Sequence, residues 1–228
     1  NFIREAEGLV SIQATNSFQT PVVIRATSDY LLQEYIVSRP PERSYWPVFG
    51  QLLAKMHRCT SSRFGFEKNN YCGASPQQNT WSEHGHAFFI QHRLLYQATL
   101  AQRNHLLSDD DVLQLQSLCG RLEMLIPSQP ASLLHGDLWH GNHLCNQQNH
   151  PTLIDPACYY GWAEADLAMT QLFGGFPEAF YAAYQEVNPL EQGWKSRFPI
   201  YNLYHLLNHL NVFGRSYYSP VMDIIRRY

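Results

Sequence analysis

An aspartate able to take a proton sits inside the stretch His135-Gly136-Asp137-Leu138-Trp139-His140-Gly141-Asn142, and the asparagine that ends it lies five positions on. A carboxylate can hold a hydroxyl nucleophile and accept its proton as a new bond forms. The side-chain oxygen of Asn142 is neutral, so it can ligate a hard cation such as Mg²⁺ while Asp137 stays free to act. Asp155 follows the apolar Leu153-Ile154 run and offers the carboxylate that Mg²⁺ takes beside phosphate oxygens. Base, neutral oxygen and carboxylate together suit phosphoryl transfer from ATP. The transition state of that reaction is loose, so a protein mainly positions the reactants and neutralises phosphate charge.

The spacing H-x-D with Asn five residues after the Asp is that of a kinase catalytic loop, and Asp155 stands where such enzymes carry their second magnesium carboxylate. A lone H-x-D would read as a polar turn ahead of a helix cap. Here the runs His143-Leu144-Cys145 and Thr152-Leu153-Ile154 predict a hairpin whose open end unites Asn142 with Asp155, and the combination favours the kinase reading. Around it, apolar Phe2, Leu9 and Ile12 among Arg4, Glu5 and Glu7 predict a helix over 1–14. Strands are expected at Val22–Ile24 and at Tyr30–Val37, before Arg39-Pro40-Pro41 breaks the pattern. Helical spacing marks 46–58, 81–107 and 109–126, the last opened by Ser108 with Asp111 three residues on. Residues 64–80 read as an irregular loop. The remainder reads as helix interrupted at Gly174-Gly175, Pro177 and Pro189. The expected class is α+β in two lobes: 1–38 as a small strand-containing part, 39–228 as a larger helical part carrying the catalytic loop, and a ligand cleft between them.

Composition narrows the partners. The 228 residues are 45% hydrophobic and 15% charged, a globular balance, with a formal net charge of -3 that argues against a nucleic-acid binder. No apolar run is long enough to span a membrane, and Asn1–Ile12 has no signal-peptide pattern. Five scattered cysteines without a CxxC pair suggest reduced thiols and a cytoplasmic location. The chain opens inside an amphipathic helix, so an upstream segment is expected. The Arg226-Arg227-Tyr228 ending reads as a natural terminus.

The segments HGDLWHGN, IDPACYYG and EADLAMTQLFGGF resemble the fructosamine kinase, or ketosamine kinase, family. Further matches are REAEGL at 4–9, FGFEKNNYCG at 64–73, PQQNTW at 76–81, FFIQHRL at 88–94 and HLNVFGRSY at 209–217. The resemblance implies a protein-kinase-like fold related to aminoglycoside phosphotransferases, with ATP and Mg²⁺ as cofactors. It implies phosphorylation of the sugar O3 of a free or protein-bound ketosamine, and hence deglycation or repair. Carried over by position, Asp137 resembles the catalytic base, and Asn142 and Asp155 the Mg²⁺ ligands. Glu5 resembles the helix glutamate that pairs with an ATP-binding lysine, and Glu34-Tyr35-Ile36 the hinge whose backbone meets adenine.

Each of these has a plainer reading. Glu5 can be a solvated helix face and 34–36 an edge strand. Trp139 is the candidate for stacking on a sugar ring, with packed core as the alternative. Asp166 is expected in the first turn of a helix, bonding backbone groups near the catalytic loop. The family's segment has a His-Arg pair where this chain has Trp162-Ala163, a change that bears on substrate contacts or on packing. The Gly-rich loop and lysine expected upstream of Glu5 are not among these residues. Two rivals therefore stand beside the ketosamine reading: another small-molecule kinase of aminoglycoside or choline type, and an inactive relative that binds without turnover. His205 and His209 have metal-compatible i, i+4 spacing. No HExxH or Cys-His signature accompanies them, so structural histidines are expected rather than a zinc hydrolase.

Overall fold

A computed structural model describes residues 1–228. The chain begins with α1 (Phe2–Ala14), which buries Ala6, Gly8, Leu9 and Ile12, one stripe at helical spacing. It runs into a two-stranded antiparallel ribbon, β1 (Val23–Ala26) with β2 (Leu31–Gln33). The chain then crosses to the larger part, where Ser38 bridges Asn146 and the Arg39 N–H donates to Cys145 O at 2.9 Å.

The larger part opens with α2 (Tyr45–His57) and the short β3 (Thr60–Ser61). A small hairpin follows, β4 (Asn70–Cys72) with β5 (Ser75–Gln77). Next come α3 (Gly85–Phe89), a π-helical turn at Ile90–Leu95, α4 (Tyr96–Arg103), α5 (Asp109–Cys119) and α6 (Leu122–Leu125). The His135–Asn142 segment is framed by β6 (Ala131–Leu134), the hairpin β7 (His143–Cys145) with β8 (Pro151–Leu153), and β9 (Tyr159–Gly161). β6 pairs antiparallel with both β3 and β9. Four helices complete the chain: α7 (Ala163–Leu172), α8 (Glu178–Val187), α9 (Trp194–Phe213) and α10 (Tyr218–Arg227).

A core of 45 buried residues ties these helices together. α2 and α8 cross so closely that a Cβ on Gly50 would lie 2.1 Å from Phe180 O, a spacing that only glycine permits. Phe49, Leu53, Phe180 and Tyr184 are fully buried near that crossing, each burial contributing about 1.5–3 kcal/mol. α9 forms the spine of this part. All the residues from Phe198 to Leu210 except Pro199 and His209 are buried, and Pro199 forgoes one ladder bond early in the helix.

Several expectations change. The second strand ends at Gln33, so Glu34–Val37 lies outside it, with no regular structure. The region 64–80 is not all irregular: Gly73, at φ 59°, turns the β4–β5 hairpin, whose short, polar strands with a proline show no alternating pattern. The 81–107 helix begins at Gly85, because Ser82 is held extended against Phe64, and the π turn interrupts it. The 109–126 helix stops at Gly120, leaving α6 as a separate turn. Ser108 and Asp111 form a reciprocal capping box at the start of α5, as their spacing implies.

Candidate active site

The His135–Asp137 turn is fixed from three sides. Gly136 adopts φ 84°, and a Cβ there would lie 2.1 Å from Ala157 O, so the turn presses directly on the chain after Asp155. The Ala157 N–H donates to His135 O at 2.8 Å. Asp166, in the first turn of α7, accepts the His135 and Gly136 N–H groups at 2.7 and 2.9 Å, and His57 Nε2 lies 3.2 Å from the same carboxylate. Burial alone would raise the Asp166 pKa. The His57 hydrogen bond and charge, with smaller contributions from His135 and the Gly136 N–H, outweigh it and hold the carboxyl below its usual range. The His135 ring donates from Nε2 to Ile154 O at 3.0 Å, which leaves Nδ1 to accept the Asp137 N–H at 3.3 Å. Burial keeps this histidine neutral, so its role is to hold backbone in place.

Asp137 and Asn142 are joined. Asn142 Nδ2 donates to Asp137 O at 2.8 Å and to Asp137 Oδ2 at 3.1 Å, which turns the amide oxygen outward, free of any protein partner. The Ile154 N–H donates to Asn142 O at 3.1 Å, bringing Asp155 to the open end of the β7–β8 hairpin. Asp155 has a left-handed backbone, φ 50°, just past the end of β8. α1 lies against the next residues: a Cβ on Gly8 would be 3.0 Å from Pro156 Cγ, and the Cys158 thiol donates to Gly8 O at 3.6 Å.

Negative charge gathers at this corner. Burial first, and the Asp155 carboxylate second, push Asp137 up to about 7. The same two causes in the same order push Glu5 up to about 7. The Asp155 carboxylate thus bears on both Asp137 and Glu5, and the free amide oxygen of Asn142 stands beside Asp137. A carboxylate and a neutral oxygen are hard donors of the kind that fit Mg²⁺.

The other sequence candidates scatter around this corner. Glu5, half-buried on α1, lies close enough for the charge of Asp155 to add to burial in raising it. Glu34 pairs with the chain before β1, its N–H donating to Val22 O at 2.9 Å, while Tyr35 is 86% exposed and Ile36 lines a cavity beside Phe18 and Gln19. Trp139 is 37% exposed, its ring lying over Gly141 and edge-on to Phe173. Trp162 is buried among Phe64, His86, Phe89 and Tyr201, so the Trp162-Ala163 departure is accommodated as packing at the start of α7.

Sequence reading missed two arrangements of residues. One is a buried polar network: Asn70 and Gln77 bond Cys158 O and Ala157 O, and Asn79 links Asn70 to the fully buried Arg93. Its clue was PQQN, polar residues inside an otherwise unreadable loop. The other is the approach to Asp137 of Cys72 and of His205, a histidine whose spacing with His209 reads as structural, from distant segments. His209 hydrogen-bonds His205 O at 2.7 Å, as a structural histidine does, whereas His205 Nδ1 has no partner.

The fructosamine kinase family model matches residues 1–228. A Synechocystis protein named "Probable ketoamine kinase" is 39% identical over 99% of this chain and 78% of its own length. The "Protein-ribulosamine 3-kinase, chloroplastic" of Arabidopsis thaliana is 38% identical over 100% of this chain and 72% of its own. Among solved structures, a "putative fructosamine-3-kinase" from Thermobifida fusca superposes with a TM-score of 0.91 at 34% identity, covering 99% of this chain and 78% of that one. Aminoglycoside phosphotransferase APH(2'')-Ib, at 14% identity and a TM-score of 0.59, shares the protein-kinase-like fold.

Proposed function

The chain belongs to the fructosamine kinase family and is a phosphotransferase acting on a sugar hydroxyl, and from that premise we propose that it moves the γ-phosphoryl group of ATP to O3 of a ketoamine, with Mg²⁺ held by Asn142 and Asp155. The names of the relatives support a sugar joined to an amine, of fructosamine or ribulosamine type, as the acceptor. A 3-phosphate weakens such an adduct, so the physiological role is removal of sugar from glycated amines.

In this reading Asp137 is the base. It orients the acceptor hydroxyl and takes its proton as the oxygen meets phosphorus. Its raised pKa suits the task, because a base near neutrality accepts a proton readily and can still lose it again. Bound Mg²⁺ would neutralise the phosphate oxygens, and its own charge would relieve the crowding of Asp137, Asp155 and Glu5. Asn142 divides its amide between the two jobs, the NH₂ steering Asp137 and the oxygen left for the cation. Asp166 and His135 hold the loop. Glu34–Ile36 would offer backbone to adenine between the 1–38 and 39–228 parts, and the exposed face of Trp139 would meet the sugar.

The observation that carries the proposal is the Asp137–Asn142 pair locked against the Asp155 segment. The test is Mg-dependent ADP release from the full-length protein with fructosyl-lysine and ribulosyl-lysine, phosphorus NMR fixing the position of the phosphate. Release that needs the adduct and falls by about 10²–10⁴-fold in Asp137→Ala is expected. Release undiminished in that variant would sink the assignment of the base, and a phosphate on another hydroxyl would sink O3.

A further inference from the structure

Asp137 uses only one of its carboxylate oxygens toward Asn142. The other, Oδ1, faces His205 Nδ1 at 4.0 Å. Cys72 comes to the same place from the end of β4, and one donor atom from each of the three residues lies within 4.8 Å of the others. The three side chains belong to distant parts of the chain that are rigidly joined. The β4–β5 hairpin is docked on α9 by the Tyr204 hydroxyl, which donates to Gln77 Oε1 at 2.7 Å, and by Asn208 Nδ2, which donates to Cys72 O at 3.4 Å.

His205 shows that something is wanting there. Its residue surface is only 4% exposed, yet Nδ1 has no hydrogen-bond partner. Leaving such an atom unmatched costs about 1–3 kcal/mol. We propose that Cys72, Asp137 and His205 form a binding site for a thiophilic divalent cation of the zinc class, and that a cation seated there stops turnover.

The chemistry of the three donors selects the ion. Sulfur, imidazole nitrogen and one carboxylate oxygen are a zinc-type set, with zinc–donor distances of about 2.0–2.3 Å. Tetrahedral geometry then needs the donors roughly 3.3–3.7 Å apart, so side chains now within 4.8 Å must close by about 1 Å. Mg²⁺ prefers oxygen and has no use for a thiolate, so the two cation sites select differently. The imidazole is ready, since burial and then the neighbouring His209 push His205 down to about 3 and keep it neutral. The thiol must lose its proton to solvent as the metal–sulfur bond forms. Burial first and the Asp137 charge second oppose that loss in the empty site, while Arg93 and the Tyr204 hydroxyl favour the thiolate. Entry is from the side of Asp137, whose side chain is 16% exposed against 5% for His205. The fourth position is left to water on the cleft side.

A metal on Oδ1 takes the lone pair that would receive the proton of the acceptor hydroxyl. This consequence for turnover rests on Asp137 being the base, whereas the existence of the site does not, and the test separates them. Co²⁺ is titrated into full-length, nucleotide-free protein and the thiolate-to-cobalt charge-transfer band is recorded; Zn²⁺ affinity follows by competition with a chromophoric chelator. The expected result is one equivalent bound, with the band absent in Cys72→Ser and affinity at least about tenfold weaker in both Cys72→Ser and His205→Gln. Two variants keep the test alive should one fail to fold, which circular dichroism reports. A band that survives Cys72→Ser, or one that Cys59→Ser abolishes, overturns the site, as does the absence of any band. Turnover with Mg-ATP in excess is then followed against Zn²⁺, each protein compared with its own zinc-free rate. Inhibition in the parent chain that weakens about tenfold in Cys72→Ser supports both claims. A band without inhibition upholds the site and overturns Asp137 as the base.

Discussion

A carboxyl group that burial and a neighbouring carboxylate hold up to about 7 is expensive to keep ionised, and Asp137 is such a group. Its folded-state value lies above the 3.8 of an ordinary aspartate, so between those limits the folded chain holds a proton that the unfolded chain has lost. The stability carried by that proton is complete below about 4 and is lost as pH rises through about 7. Asp137→Asn removes the cost. In chelator, without nucleotide, the variant should match the parent near pH 4 and be more stable at pH 8 by up to about 4 kcal/mol, although its turnover falls by orders of magnitude. Urea unfolding at the two pH values reads this directly, and a variant less stable at pH 8 would contradict it. The pairing of Asp137 with Asn142 was legible from spacing alone, because the two lie within one loop and their relation is local. The approach of Cys72 and His205 was not, since only the docking of a hairpin on α9 brings them near.

At the scale of elements, α7 and α9 are joined by a buried ion pair. Arg197 donates to both Glu164 oxygens, at 2.7 and 2.5 Å, and the Tyr201 hydroxyl donates to Oε2 at 3.0 Å. Since α7 also presents Asp166 to the catalytic turn, the pair sets where that carboxylate sits. Glu164→Ala leaves a mostly buried guanidinium without its partner and should cost about 3–5 kcal/mol, whereas Glu164→Leu with Arg197→Met should recover most of the loss. Urea midpoints of the single and double variants decide it: a double variant as weak as the single one would refute the argument. Helices α1, α2 and α5 were legible because each presents a stripe or a capping box. β6, β9 and the β4–β5 hairpin were not. β6 is buried on both faces and so shows no alternation, and the other strands have three residues apiece, too few to establish a period.

Across the whole molecule, the segment after Asp155 is gripped between distant parts of the chain. Gly8 of α1 presses on Pro156 from one side, and the network of Asn70, Gln77, Asn79 and Arg93 holds Ala157 and Cys158 from the other. A ligand that bridges Asp155 to the first part of the chain therefore stabilises both. A non-hydrolysable ATP analogue with Mg²⁺, at a hundred times its Kd, should raise the unfolding free energy by about 2.7 kcal/mol. The magnesium-dependent share of that gain should vanish in Asp155→Asn, as thermal unfolding with and without chelator would report. The same gain in both proteins would move the cation elsewhere. No helix is long and apolar enough to cross a membrane, in keeping with the absence of an apolar run in the sequence. The mixed helix-and-strand, kinase-like class was foreseen from the catalytic-loop spacing and the family segments, but the network that clamps the Asp155 segment was not, because its members are scattered polar residues with no periodic pattern.

The π-helical turn at Ile90–Leu95 makes this stretch sensitive to deletion in a way that its composition does not reveal. A π turn closes i to i+5 and so accommodates one residue more than the α-helix around it. Shortening it by one would let Gly85–Arg103 run as a single unbroken α-helix, with its two halves turned by about 100° relative to one another. Arg93, fully buried over the Tyr159 ring, could not then keep its place while Phe88 and Ala98 kept theirs. The exposed Gln91 can change its identity freely, yet the number of residues around it is fixed. Among related chains, this stretch should tolerate substitution and resist any change of length.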